Sequence, residues 1–162
     1  MTISKVDVVN IFLDQKNGVP VVLLQDTESK DTLPILIAPL EASMIAIELE
    51  GKKPIRPLTH DLIINILNKL SYTIDSVVIN DLKDNIYYAN IVLISEGDSV
   101  EIDCRPSDAI ALALRTKSPI YVERKVFALS MGIQKAVKNV DKETLKEVLK
   151  DLKIEDVGGK IM

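Results

Sequence analysis

Tryptophan is absent from this chain, and only four tyrosines and two phenylalanines stand among its 162 residues. Aromatic platforms on which nucleobases stack are therefore scarce, which argues against recognition built on base stacking. One cysteine excludes an intrachain disulfide and a cysteine-rich zinc site, and one histidine excludes a multi-histidine zinc site. A basic excess is missing too: 20 Lys and Arg face 24 Asp and Glu, for a formal net charge of −4. A nucleic-acid partner, which ordinarily meets a basic stripe, would have to be held at a local site. No apolar run reaches the ~20 residues that span a bilayer. The start, Met1-Thr2-Ile3-Ser4-Lys5, carries no signal-peptide hydrophobic region. Together these absences predict a soluble, cytoplasmic protein with no membrane partner.

What the chain does have is aliphatic residues, chiefly Ile, Leu and Val. At this length one domain can bury roughly two-thirds of its unfolded surface. Lys5 to Leu13 and Val19 to Gln25 read as strands joined by an Asn17-Gly18 hairpin turn, and Leu33 to Ile37 as a third strand. Pro39 and Glu41 open a helix that Gly51 ends. Thr59 reads as the N-cap of a second helix with Leu62, Ile63, Ile66, Leu67 and Leu70 on its apolar face.

The order then begins again. Strands are predicted over Ile74 to Asn80, Ile86 to Ile94 and Val100 to Cys104, with a helix opening at Pro106 or Ser107. Its run Ala109 to Leu114 is apolar without a break, so it should be buried all round. A short strand at Ile120 to Val122 and a short helix over Val126 to Ile133 follow. Pro39-Leu40-Glu41-Ala42 aligns with Pro106-Ser107-Asp108-Ala109, which suggests an internal duplication of a three-strand, two-helix unit. The expected fold class is α+β, with the two units forming one curved, barrel-like mixed sheet and helices packed on it. The domain would cover residues 1–135, in halves of about 1–71 and 72–135. Residues 136–162 would add a C-terminal helix and a frayed tail. An exposed apolar stripe on that helix would suggest a homodimer.

Two stretches stand out: Arg56-Pro57-Leu58-Thr59-His60-Asp61 and Asp103-Cys104-Arg105-Pro106-Ser107-Asp108. Each sets an arginine, a proline, a hydroxyl residue and an acid where a helix begins. Helix N-termini present unpaired N–H groups and a partial positive charge, so an arginine there suits phosphate or carboxylate. In the internal alignment Cys104 falls opposite Ile37, Asp103 opposite Leu36, and Arg105 opposite Ala38. Cys104 thus reads as a small buried hydrophobe. The polar residues fall at non-equivalent points, as if each half supplied a different part of one composite site. The plainer alternative is that they form ordinary caps and salt bridges.

The same residues carry a family resemblance. Leu33-Pro34-Ile35, Glu41-Ala42, the stretch Arg56 to Leu62, the run Asp103 to Arg115 and Pro119-Ile120-Tyr121-Val122 resemble the bifunctional nuclease domain family, over roughly residues 5 to 133. That family is named for plant members that degrade both RNA and DNA. The resemblance implies a nuclease acting on DNA, RNA or both.

Phosphodiester cleavage needs an activated water, neutralisation of the phosphorane charge, and support for the leaving oxygen. For such a reaction His60, Asp61, Asp103 and Asp108 are the candidate catalytic residues, with His60 the one imidazole base. Glu41, Asp61, Asp103 and Asp108 are the candidate metal ligands, and hard oxygen donors favour Mg²⁺ or Mn²⁺. Arg56, Thr59, Arg105, Ser107 and Arg115 are the candidate substrate contacts. A second reading uses the same helix starts without chemistry, as a binding or regulatory module for a phosphorylated or carboxylated ligand.

Overall fold

A computed structural model describes residues 2–137. Three strands come first, β1 (Ile3–Leu13), β2 (Pro20–Asp26) and β3 (Thr32–Leu36), then helices α1 (Pro39–Leu49) and α2 (Thr59–Lys69). The second set is β4 (Thr73–Lys83), β5 (Ile86–Ser95), β6 (Asp98–Cys104) and α3 (Pro106–Thr116). β7 (Ile120–Glu123), α4 (Arg124–Leu129) and α5 (Met131–Ala136) follow. The C-terminal helix expected over 136–162 lies almost wholly outside the described residues.

The fold is α+β, with one mixed sheet in the order β3-β2-β1-β7-β4-β5-β6. Each trio β1–β3 and β4–β6 is an antiparallel meander that runs into a helix. β7 sits between them, antiparallel to β1 and parallel to β4, and has no counterpart in the first half. Gly18, at φ 69°, turns the first hairpin. Asp84 and Asn85 both take positive φ and join Lys83 to Ile86 in a two-residue turn, so β4 runs further than its alternation suggested.

The expected barrel-like closure does not occur, because β3 and β6 are separate edges. The sheet is nonetheless strongly curved. The Tyr87 hydroxyl on β5 donates to the Pro34 carbonyl on β3 at 3.0 Å, across strands far apart in the order. Register shifts at Val8/Asn10, Ile74/Ser76 and Ile79/Asp81 supply the extra twist that curls it.

α3 is the centre of the helical layer. Ala109 to Ala113 are at most 1 % exposed, as the unbroken apolar run predicts. α3 packs on β4 and β5, and α1 and α2 pack on α3. α2 is rotated relative to expectation. Its contact face is His60, Ile64 and Leu67, at spacings of four and three, while Leu62, Ile63, Ile66 and Leu70 remain exposed. Periodicity locates an apolar stripe but cannot say which edge of it the neighbouring helix covers.

Candidate active site at three helix starts

α1, α2 and α3 begin alike. Each has an extended residue before its first turn (Ala38, Leu58, Arg105) and an acid at its third helical position (Glu41, Asp61, Asp108). In α1 the Glu41 Oε2 accepts the Ala38 N–H at 2.9 Å, and in α2 the Asp61 Oδ2 accepts the Leu58 N–H at 2.8 Å. These carboxylates cap otherwise orphaned donors. Thr59 is therefore not the cap expected of it: it is the first helical residue, and Asp61 does the capping.

The third start differs. The Asp108 carboxylate turns outward and takes a fork from its own chain, with Arg105 Nε to Oδ2 at 2.8 Å and Nη2 to Oδ1 at 3.2 Å. The same Oδ1 meets His60 Nε2 at 3.0 Å, and Arg105 Nη1 also donates to Glu41 Oε1. One chain of charged contacts, His60–Asp108–Arg105–Glu41, thus ties the three helix starts together.

Solvent reaches this chain from one end. The Arg105 side chain is 66 % exposed and that of His60 only 10 %. Burial works to raise the Asp108 carboxyl, but hydrogen bonds from Arg105 and His60 outweigh it and hold the group below the usual carboxylate range. Asp108 in turn raises the Arg105 guanidinium. With Asp108 ionised, the tautomer that donates from Nε2 leaves His60 Nδ1 as a bare acceptor, and Nδ1 is buried with no protein partner. Cys104 is pushed up to about 12 by burial first, then by the Asp108 and Asp103 charges. It stays a thiol and does no nucleophilic work at neutral pH.

Beside the chain lies a cleft of about 610 Å³, with Glu41, Thr59, His60, Arg105 and Asp108 on its lining. Its remaining walls are mainly aliphatic, including Met44 of α1, Ile63 and Leu67 of α2, Ile91 and Leu93 of β5 and Ile102 of β6. Among the described residues no Phe or Tyr side chain lines it. These wall residues were indistinguishable in sequence from ordinary core and were missed.

The other candidates lie elsewhere. Side chains alternate along β6, so Ile102 and Cys104 face the cleft and Asp103 does not. Asp103 instead lines a smaller polar pocket with Asn80, Asp81, Lys83, Tyr88, Glu123 and Lys125. The remaining Asp61 oxygen, Oδ1, is 3.3 Å from Arg115 Nε. Arg115 is 3 % exposed, lies 3.8 Å from Glu48 and donates to the Ala111 carbonyl, which makes it an internal tie between α3 and the other two helices. Ser107 is buried and Arg56 is exposed in the loop before α2; neither lines the cleft.

The four carboxylates proposed as metal ligands are thus divided among three places. Among the described residues no three His, Cys, Asp or Glu side chains are placed to hold a metal ion. Glu41 and Asp108 alone share the cleft, and Arg105 occupies both, so the arrangement does not fit a resident cation.

Known proteins share this framework. The bifunctional nuclease domain matches residues 22–134, from β2 through α5, and so includes all three helix starts. An uncharacterized protein of Mycobacterium tuberculosis is 40 % identical over 125 residues, 77 % of this chain and 74 % of its own length. Bifunctional nuclease 2 of Oryza sativa subsp. japonica is 31 % identical over 119 residues, 71 % of this chain but 36 % of the plant protein. Bifunctional nuclease 2 of Arabidopsis thaliana is 30 % identical over 105 residues, 63 % of this chain and 32 % of the plant protein. This chain spans about a third of those plant nucleases. With a match that runs from within β2 to within α5, most of the chain, the chain belongs to the bifunctional nuclease domain family.

Proposed function

We propose that this chain is a nuclease that hydrolyses phosphodiester bonds of DNA, RNA or both at the cleft beside His60, Asp108 and Arg105. The observation that carries the reading is the 3.0 Å contact of His60 Nε2 with an Asp108 oxygen that also accepts from Arg105. Asp108 orients the ring, and Nδ1 takes the proton of the attacking water as its oxygen bonds to phosphorus. The P–O bond to the leaving nucleoside breaks, its oxygen taking a proton from solvent, while the imidazolium later returns its proton to water. Arg105, as the exposed member, meets the phosphate and neutralises charge as the phosphorane forms. Asp108 and Glu41 engage three of its five N–H donors, which leaves one on each Nη for a phosphate oxygen. Nδ1 is enclosed, so substrate docking must also admit water to the ring. The family match and the plant relatives' names support hydrolysis of nucleic acid.

The test is cleavage of labelled single- and double-stranded DNA and RNA by the purified chain, with Mg²⁺, with Mn²⁺ and with EDTA. His60→Ala and Asp108→Asn should each lower the rate about 10²-fold or more, the usual contribution of a positioned acid–base group. Cleavage that survives both substitutions belongs to a contaminant and sinks the proposal.

One observation favours a second reading. The cleft walls are aliphatic and its one arginine is already paired. A small ligand with an apolar body and a phosphate or carboxylate would use those walls better than a polynucleotide does. Thermal shifts with such ligands, alongside inactivity on every nucleic acid, would decide for a non-catalytic binding module.

A further inference from the structure

Both carboxylate oxygens of Glu41 are committed. Oε2 accepts the Ala38 N–H at 2.9 Å, Oε1 accepts from Arg105 Nη1, and the side chain is only 17 % exposed. Asp61 caps α2 in the same way but turns its second oxygen to Arg115, away from the cleft. The cap of α1 therefore holds a negative charge in the cleft wall, and the cap of α2 does not.

That charge falls on the guanidinium that meets substrate. Among the described residues Arg105 is the only Lys or Arg lining the cleft, and it lies between Glu41 and Asp108. With the His60 ring neutral, as a general base must be, the cluster carries a net negative charge. One N–H on each Nη remains for phosphate oxygens. The cleft thus has donors for one phosphate but no surplus of positive charge.

Phosphate esters divide at this point. A phosphodiester is a monoanion, whereas a phosphomonoester, with a second pKa of about 6, is mostly a dianion at neutral pH. The added charge sits beside Glu41, between aliphatic walls where water screens it weakly. Hydrolysis makes this same change. Water adds to the diester, an alcohol leaves, and the remaining phosphate gains a negative charge as a proton passes to solvent.

We propose that Glu41 is the specificity-determining residue of the cleft: set against Arg105, it admits a monoanionic phosphodiester and rejects a dianionic phosphomonoester. The same repulsion expels a product that ends in phosphate. The inference rests on the reading of the cleft as a phosphodiester site, and binding tests it apart from cleavage.

Thymidine 3′-phosphate and its methyl diester, titrated into the full chain at about pH 8 with EDTA, differ by one methyl group and one charge. The ring protons of the one histidine, His60, report binding at the cleft by NMR. The diester should bind at least tenfold more tightly, the scale of one added unit charge at contact range. Glu41→Gln removes the charge but keeps the cap, since glutamine also serves at the third position of a capping box. It should tighten the monoester and narrow the preference to about threefold or less. Glu50→Gln, exposed just past the far end of α1, alters the net charge equally and should leave the preference unchanged. Equal affinities in the wild type overturn the proposal. So does a preference that survives Glu41→Gln or that Glu50→Gln narrows as much, and so does a ring that neither ligand moves at tens of millimolar. A chain that cuts nucleic acid without preferring the diester loses this inference alone. One that prefers the diester but cuts nothing loses only the nuclease.

Discussion

His60 and Asp108 are 48 positions apart in sequence and 3.0 Å apart in space, one in the first turn of α2 and the other in the first turn of α3. The pair exists because Asp108 does not fold back to cap its own helix as Glu41 and Asp61 do. A carboxylate released from capping is free to orient an imidazole.

Asp108→Asn therefore removes a charge that two partners share. The amide keeps one acceptor oxygen for the contacts made at Oδ1, but it loses the charge and puts an NH2 donor where Oδ2 accepts from Arg105 Nε. Nuclease rate should fall about 10²-fold. Loss of the contact is read from the chemical shifts of the His60 ring protons by NMR, which are unambiguous because the chain has one histidine. Ring shifts identical in the two proteins would show that the pair is not formed in solution.

Arg115 should prove structural. Arg115→Ala strands Asp61 and Glu48, whose side chains are 30 % exposed and so keep some water contact. The expected cost is about 2–3 kcal/mol, below the 3–5 typical of fully buried pairs. Urea unfolding measures it. Rate per folded molecule should stay near wild type, in contrast with Arg105→Ala.

Asp103→Asn separates the structure from the sequence pattern. Asp103 lies in the other pocket, so the substitution should change nuclease rate less than about twofold and stability by no more than ~0.5 kcal/mol. A large loss of rate would return Asp103 to the site.

Acid should loosen the β1–β2 end of the sheet first. Burial works to raise the Asp26 carboxyl, but the Glu28 N–H, the Ser4 hydroxyl and the Ser29 N–H more than offset it and lower the group to about 2. Arg124 Nη1 donates to the same carboxylate at 2.8 Å. The folded value lies below the unfolded one, so the stabilisation is present above about pH 4 and drains away as pH falls toward 2. Melting temperatures of wild type and Asp26→Asn should differ at pH 6 and converge across that window.

Much of this fold was legible because strands and buried helices write strong patterns. The Asn17-Gly18 turn, the unbroken Ala109 to Leu114 run and the order of elements all carry over. Closure into a barrel was not legible, because edge pairing depends on curvature that local bulges set. The helix starts were visible as Arg-Pro stretches, but which acid caps and which is released depends on a neighbour 48 positions away. In sequence Asp103 groups with Arg105 and Asp108, but alternation along β6 sends its side chain to the face opposite Cys104 and the cleft.

β7 gives the fold an uneven history. Among the described residues it is the last strand along the chain, and it takes the middle of the sheet, pairing Ile3 with Glu123 and Val77 with Ile120. Until it arrives, β1 and β4 each expose a row of unpaired backbone groups that another chain could adopt. A protein assembled around its final strand completes its sheet late in synthesis and slowly, since its decisive pairings close the longest loops. A ribosome stalled before Ile120 would release two sticky meanders in place of half a working domain.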